Sequence, residues 1–340
     1  MPTILVTGGT GYIGSHTAVE LMNSGYEVLI VDNLSNSQIE VLDGIEAITG
    51  ARPKFEQFDL CDRERVYSLF QTYSIDAIIH FAALKAVGES IEKPLDYYHN
   101  NLESLIILLE SMRKFNTPSL VFSSSCTVYG QPDNLPVTED APIKKALAPY
   151  GKTKQISEEI IQDAITAIPG IKAISLRYFN PIGAHPSAQI GELPRGVPLN
   201  LVPFVTQTAA GVREKLRVFG NDYNTPDGSA IRDYIYVVDL AKAHVASVKR
   251  LLENKNSSDY EIFNLGTGKG TTVLEIIRTF EKATGLKVNH EIVGRREGDI
   301  EKVWADTTYA NKVLGWKADT PLKEVLLSAW NWEKKIRNIQ

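Results

Sequence analysis

The chain has 340 residues, 43% hydrophobic and 23% charged, a globular composition long enough for one large α/β domain or two linked lobes. A net charge of -5 without any Lys/Arg-rich stripe argues against a duplex nucleic-acid footprint, and pairs such as Lys144/Lys145 and Lys334/Lys335 read as solvated surface. MPTILVTGG looks like a first strand rather than a signal peptide, and no apolar run approaches the ~20 residues that span a bilayer; no membrane contact and a cytoplasmic location are expected. Cys61 and Cys126, the only cysteines, form no C-x-x-C pair and have no local histidine at metal-ligand spacing, so no metal site is expected.

Through the first half, short β-branched runs alternate with helical stretches: TILVT (3–7), EVLIV (27–31), PKFEQF (53–58), DAIIHF (76–81), SLVFSS (119–124) and IKAISLRYF (171–179). This beat predicts an α/β fold with a doubly wound parallel sheet, and the apolar faces of its strands predict helices on both sides. Segments 95–115 and 150–167 read as the longest helices. After Phe179 the Pro/Gly-rich stretch NPIGAHPSAQIGELPRGVP marks a boundary, giving a first domain over 1–179 and a smaller mixed α/β lobe over 180–340. Within the lobe a helix is expected at 201–212, strands near 216–219 and 232–237, and a helix from Asp239. YEIFNLGTG (260–268) reads as a buried strand that crosses back to the first sheet.

Gly8, Gly11 and Gly14 stand three apart between the first strand and a helix starting near Tyr12. Glycines there let the backbone approach a pyrophosphate, and the helix start offers unpaired N–H groups and positive dipole charge. Asp32 closes the second strand, 18 residues beyond Gly14, where a carboxylate accepts from ribose hydroxyls and repels a 2′-phosphate. Together these indicate NAD rather than NADP on a Rossmann sheet.

Tyr150 is the only one of the 14 tyrosines with a lysine four residues later, though random placement yields about one such pair by chance. Position gives it weight. PYGKTK opens a helix some 25 residues after the strand end SLVFSSSCTVYG, at the C-terminal edge of the sheet. Residues i and i+4 share a helix face, so Lys154 brings its ammonium near the Tyr150 phenol and favours the phenolate. Tyr150 then serves as a base for a substrate hydroxyl while hydride leaves for a nicotinamide. Ser125 and Thr127 offer hydroxyls to orient that oxygen, although serines at strand ends often satisfy backbone groups instead.

GGTGYIG, DNLSNS, HFAALKAVGES, SSSCTVYG, PYGKTK, LRYFNPIGAHPS, RDYIYVVDL and RREGD together resemble the UDP-galactose 4-epimerases of the extended short-chain dehydrogenase/reductase family over almost the whole chain. The resemblance implies 4-epimerisation of a UDP-sugar through a 4-keto intermediate, with NAD regenerated each turnover, and a homodimer packed through 95–115 and 150–167. It places Tyr12, Ile13, Asn33, Asn36 and Ser37 with the glycines and Asp32 around the cofactor, and Asp59 and Leu60 at the adenine. Phe81, Ala82, Ala83 and Lys85 would line the cofactor, with Asn100 and Phe179 near the nicotinamide. Around UDP it places Asn180, Asn200, Leu201, Phe219, Arg232, Arg296 and Asp299, with Lys85 shared. Forked arginine donors suit a pyrophosphate and a ring suits uracil, yet each of these residues alone reads as ordinary surface.

Two positions depart from the pattern. Cys126 stands where relatives often have alanine, a small buried change without chemical consequence. Val303, just before WAD, stands where relatives restricted to UDP-glucose and UDP-galactose carry tyrosine, so room beside the sugar 2′ substituent is expected and, with it, use of UDP-GlcNAc and UDP-GalNAc. Three alternatives stay open. A 4,6-dehydratase would need the Asp-Glu pair that relatives carry where this chain has Cys126 and Thr127. A reductase or a UDP-glucuronate-type epimerase would use the same hydride step. A non-catalytic NAD-binding sensor would keep the fold but tend to lose the Tyr/Lys pair.

Overall fold

Alternation within the first strands explains their central position. In the computed structural model, which describes residues 1–296 and 299–339, Ile4 and Val6 of β1 (Thr3–Thr7) enter one apolar layer and Leu5 the other. In β2 (Glu27–Asp32), Val28 and Ile30 join the first layer, Leu29 and Val31 the second. Strands without a polar face need cover on both sides.

Along the chain follow β3 (Lys54–Gln57), β4 (Ala77–His80), β5 (Ser119–Ser125), β6 (Lys172–Tyr178), the short β7 (Asn180–Ile182), β8 (Leu216–Phe219), β9 (Ile231–Arg232) and β10 (Tyr234–Tyr236), then β11 (Tyr260–Leu265), β12 (Thr271–Thr272) and β13 (His290–Val293). Seven of them form the central sheet in the order β11-β6-β5-β4-β1-β2-β3, with every neighbouring pair parallel. Strand order reverses between β1 and β4, so the crevice expected of a doubly wound sheet opens beyond Thr7 and His80.

The helices are α1 (Tyr12–Asn23), α2 (Val41–Thr49), α3 (Arg63–Thr72), α4 (Val87–Glu92), α5 (Pro94–Phe115), α6 (Pro149–Ala167), α7 (Leu201–Ala209), α8 (Val237–Leu252), α9 (Val273–Thr284), α10 (Thr308–Val313) and α11 (Leu322–Arg337). α1, α2 and α8 cover one face of the sheet, and α3, α5 and α6 the other. α5 holds its length with Pro94 in its first turn, Arg113 and Lys114 in its last, and Asn116 as a left-handed cap at φ 57°.

The later part of the chain adds three two-stranded sheets, β7 with β10, β9 with β12 and β8 with β13, around a separate core that includes Val205, Val218, Ile277, Phe280 and Trp330. β11 pairs with β6, and Leu240 and Val248 of α8 enter the first apolar layer, so the C-terminal half supplies both an edge strand and cover to the main sheet. The stretch 232–237 is interrupted at Asp233. Its carboxylate turns inward to accept from the N–H groups of Thr267, Gly268 and Ala305, which ends β9 and starts β10 one residue later. The helix expected at 201–212 stops at Ala209, because Gly211 takes a left-handed φ of 71°. Among the described residues no helix is long and apolar enough to cross a membrane.

Candidate active site

The glycine turn is built for close backbone approach. Gly8 has φ 70°, and a Cβ there would lie 2.8 Å from the Ala82 nitrogen; a Cβ on Gly14 would collide with the Gly8 carbonyl oxygen. No side chain caps α1. The Tyr12 phenol donates to the Gly183 carbonyl at 2.7 Å and Ile13 packs into the cores, so these residues turn their side chains away and leave backbone N–H groups at the mouth of the helix. Such an uncapped, side-chain-free helix start fits a pyrophosphate.

Asp32 organises the neighbouring loop. Its carboxylate accepts from the Thr10 N–H at 3.2 Å, the Leu34 N–H at 2.9 Å and the Ser37 hydroxyl at 3.1 Å. Asn33 donates to Asp59 at 2.9 Å, and Leu60 is buried beside it, so the expected adenine residues meet this loop; Asn36 is exposed. On the other side of the crevice Phe81 lies 4.7 Å from the His244 ring, Ala82 and Ala83 are half-buried, and Lys85 is exposed. The Asn100 carbonyl faces the Cys61 thiol and its side chain donates to Asn101 at 2.9 Å, while Phe179 packs with Val128 and Val303.

At the end of β5 the Ser125 hydroxyl accepts from the Thr127 N–H at 3.2 Å, turning the chain into a short 3₁₀ segment, Cys126–Tyr129. Thr127 Oγ1 is buried without a hydrogen-bond partner among the described residues. A buried unpaired hydroxyl is costly and marks a place where a ligand oxygen fits. Tyr150 and Lys154 lie on one face of α6, the ammonium 5.9 Å from the phenol ring centroid. The electrostatics differ from the sequence expectation. Burial pushes the Tyr150 phenol up to about 12, with a hydrogen bond from Ser125 pulling it down, while burial draws Lys154 down to about 8 against the pull of Glu158. Lys154 spends its charge on the Ser123 carbonyl at 2.7 Å and the face of Phe122, so desolvation decides the sign at Tyr150.

Sequence reasoning missed the network behind this pair. Glu158 lies four residues beyond Lys154 on the same buried face, accepting from the Ser124 hydroxyl at 2.5 Å and pairing with Arg177 of β6 at 2.6 Å. Arg177 reaches on to the Tyr129 hydroxyl at 3.0 Å, and Tyr129 donates to Asn264 of β11 at 2.6 Å. The signal was present: Tyr150, Lys154 and Glu158 recur every four residues, and Arg177 is the one charge inside the stretch AISLRYF, which burial permits only with a partner.

In the second lobe Arg232 pairs with Asp299 at 2.5 Å, and the Arg296 guanidinium lies 4.4 Å from the Phe219 ring centroid. Asn180 opens β7, which pairs with β10 just after Arg232, and Leu201 packs on the lobe's core. Asn200 is engaged elsewhere, donating to Glu192 at 2.5 Å. Val303 is buried with Phe179, Val128 and Tyr129, alongside Cys126. Within RREGD, Glu297 and Gly298 lie outside the described residues. The single metal-like grouping among the described residues is Cys61, His99 and Glu103, where burial pushes the Cys61 thiol up to about 12.

The chain matches the family model for GDP-mannose 4,6 dehydratase over residues 5–328. It is 52% identical over 335 residues to the UDP-glucose 4-epimerase of Bacillus subtilis, covering 98% of each chain. Two solved structures superimpose closely: the UDP-glucose 4-epimerase of Stenotrophomonas maltophila with bound NAD and formylated UDP-arabinopyranose, at TM-score 0.96 and 46% identity over 100% of both chains, and that of Bifidobacterium longum with NAD and UDP, at TM-score 0.94 and 46% identity over 99% and 100%. With the glycine turn, the Asp32 loop and the Tyr150/Lys154 face set at one sheet edge, the chain belongs to the UDP-glucose 4-epimerase family of extended short-chain dehydrogenases/reductases.

Proposed function

We propose that this protein interconverts UDP-glucose and UDP-galactose, acting as a cytoplasmic homodimer that keeps one NAD per subunit through each turnover. The observation that carries the reading is the meeting of an uncapped, glycine-lined helix start with a buried Tyr/Lys face at one edge of the sheet. Support comes from relatives, similar from end to end, that bind NAD with UDP or a UDP-sugar.

NAD, when bound, supplies the hydride acceptor and donor for C4′ and a positive charge beside the phenol. Gly8, Gly11, Gly14 and the backbone of Tyr12 and Ile13 receive its pyrophosphate, Asp32, Asn33, Asn36, Ser37, Asp59 and Leu60 the adenosine half, and Phe81, Ala82, Ala83, Lys85, Asn100 and Phe179 the remainder. Tyr150 takes the 4′-hydroxyl proton and returns it once the keto sugar has presented its other face. A phenol raised to about 12 is a weak acid, so its deprotonation depends on positive charge brought nearby, which bound NAD would supply beside the Lys154 ammonium 5.9 Å from the ring centroid. Ser125 and the unpaired Thr127 hydroxyl hold the sugar oxygen. Arg232 and Arg296 exchange their internal partners for the pyrophosphate while Phe219 stacks on uracil, with Asn180, Asn200, Leu201 and Asp299 completing the uridine site.

The test is to supply UDP-galactose and couple any UDP-glucose formed to UDP-glucose dehydrogenase. Absence of product overturns the reading. Dehydratase chemistry is disfavoured because Cys126 and Thr127 provide no acid/base pair, and burial pushes the Cys126 thiol up to about 12. For the finer specificity, Val303 packs in one buried cluster with Phe179, and its small side chain supports use of N-acetylated sugars as well. Val303→Tyr should abolish turnover of UDP-GlcNAc and spare UDP-galactose; wild-type indifference to UDP-GlcNAc refutes this breadth. The dimer is supported by exposed Leu95 and Ile106 on α5, and light scattering at the monomer mass would exclude it.

A further inference from the structure

Arg195 is outside every group expected to touch cofactor or substrate, yet it joins the loops that carry them. It lies five residues before Asn200 and reaches across to the loop after β2. One guanidinium nitrogen donates to the Ser35 carbonyl at 2.8 Å, and another to the Leu34 carbonyl at 3.2 Å and to the Ser37 carbonyl. Three carbonyls from four consecutive residues converge on one planar fork. A lysine ammonium reproduces this only in part.

The gripped loop is the one wrapped around Asp32. Leu34 holds a left-handed φ of 58°, which a branched side chain adopts only when surrounding bonds impose it. Asp32 binds the Leu34 N–H from inside, and Arg195 binds its carbonyl from outside. Ser37 extends the hold to the glycine turn, its hydroxyl 2.7 Å from that of Thr10. At the other end the Arg195 segment is anchored in the second lobe. The Trp332 indole donates to the Glu192 carbonyl at 2.8 Å, the Glu192 carboxylate takes the Asn200 amide at 2.5 Å, and a Cβ on Gly191 would lie 2.5 Å from the Trp332 ring.

We propose that Arg195 is a positioning residue that clamps the adenosine-side loop to the segment leading into the uridine site, so that escape of NAD is governed by the substrate lobe. The proposal rests on the reading of residues 32–37 as the adenosine side of the NAD site. Releasing the fork frees a strained loop from one side. Occupation of the uridine site should stiffen the Asn200 segment and, through Arg195, slow NAD loss.

The experiment loads wild type, Arg195→Ala and Arg195→Lys with NAD, removes free cofactor by gel filtration, and follows retained NAD over time with and without UDP. Arg195→Ala should lose NAD about tenfold faster, in keeping with loss of a charge-assisted hydrogen-bond set, and Arg195→Lys should fall between. UDP should slow loss from wild type and do so far less in Arg195→Ala, while kcat under saturating NAD stays within about twofold of wild type, which separates release from chemistry. Equal NAD loss from wild type and both variants, or undiminished protection by UDP in Arg195→Ala, overturns the clamp. Wild type that takes up no NAD at all overturns instead the cofactor reading beneath it.

Discussion

The sheet edge and the rim of the second lobe treat charge in opposite ways. At the edge Lys154 is 4% exposed, and the Arg177 and Glu158 side chains that brace it are 4% and 10% exposed, each satisfied by protein atoms at fixed positions. At the rim, Arg232 and Asp299 retain 16% and 24%, while Arg295 and Asp222 stay largely in solvent at 46% and 68%. Buried pairs are rigid and costly to break; solvated pairs are worth little and exchange easily. The edge is therefore suited to setting proton affinities, and the rim to giving up internal partners to an incoming diphosphate.

Tyr150→Phe tests the comparison most severely. It removes the proton acceptor and leaves the glycine turn untouched, so kcat should fall about 10²- to 10⁴-fold with NAD retained. Retained activity would strip the edge of its assigned role.

Glu158→Gln should act on both stability and chemistry. Leaving Arg177 buried without its carboxylate should cost about 3–5 kcal/mol in urea unfolding. It should also move a pH limb. Lys154 faces Glu158 on its own helix, Tyr150 one turn before, the Phe122 ring and Ser123 carbonyl of β5, and His80 of β4, which burial lowers to about 3 and keeps neutral. Glu158 is the one carboxylate raising Lys154 toward its position at about 8. Its neutral replacement should shift the alkaline limb of kcat/KM to lower pH, and an unmoved limb would reduce Glu158 to scaffolding.

Arg232→Met examines the rim. Because its pair with Asp299 stays partly exposed, at 16% and 24%, folding stability should fall by less than in Glu158→Gln, while KM for the UDP-sugar rises about tenfold or more. A stability loss as large as that of Glu158→Gln would erase the contrast between the regions.

Acid acts on folding stability rather than on the chemistry of either region. His16 and His80 are drawn down to about 3 and His244 to about 4, all by burial. Below the unfolded value near 6.5 the unfolded chain binds protons that the folded chain does not, so stability should decline as pH falls from 6.5 toward 4, by up to about 1.4 kcal/mol per histidine for each pH unit. Urea midpoints at pH 7.5 and 5.5 check it; equal midpoints would show these rings titrating in the fold.

Much of the edge was legible because its signals are local. Strand periodicity fixes which side chains enter each layer, a glycine triplet between strand and helix marks a tight turn open to close backbone approach, and an i, i+4 pair shares a helix face without help from the rest of the chain. The rim was far less legible. Arg232 and Asp299 are 67 positions apart and Phe219 and Arg296 are 77, so their meeting follows from loops and two-residue strands that carry no period. Resemblance, not spacing, singled those residues out.

The sequence by itself determined the helical cover on both faces of the sheet, the glycine turn, the placement of Tyr150 with Lys154 and the return of 260–265 to the sheet, since each depends on short-range pattern and on burial of apolar faces. Only the tertiary structure decided that desolvation, rather than the Lys154 charge, governs Tyr150; that Glu158 and Arg177 brace the edge; and that Arg195 ties the two loops. These are outcomes of distance and dielectric between segments remote in the chain, and neither quantity exists until the fold has brought them together.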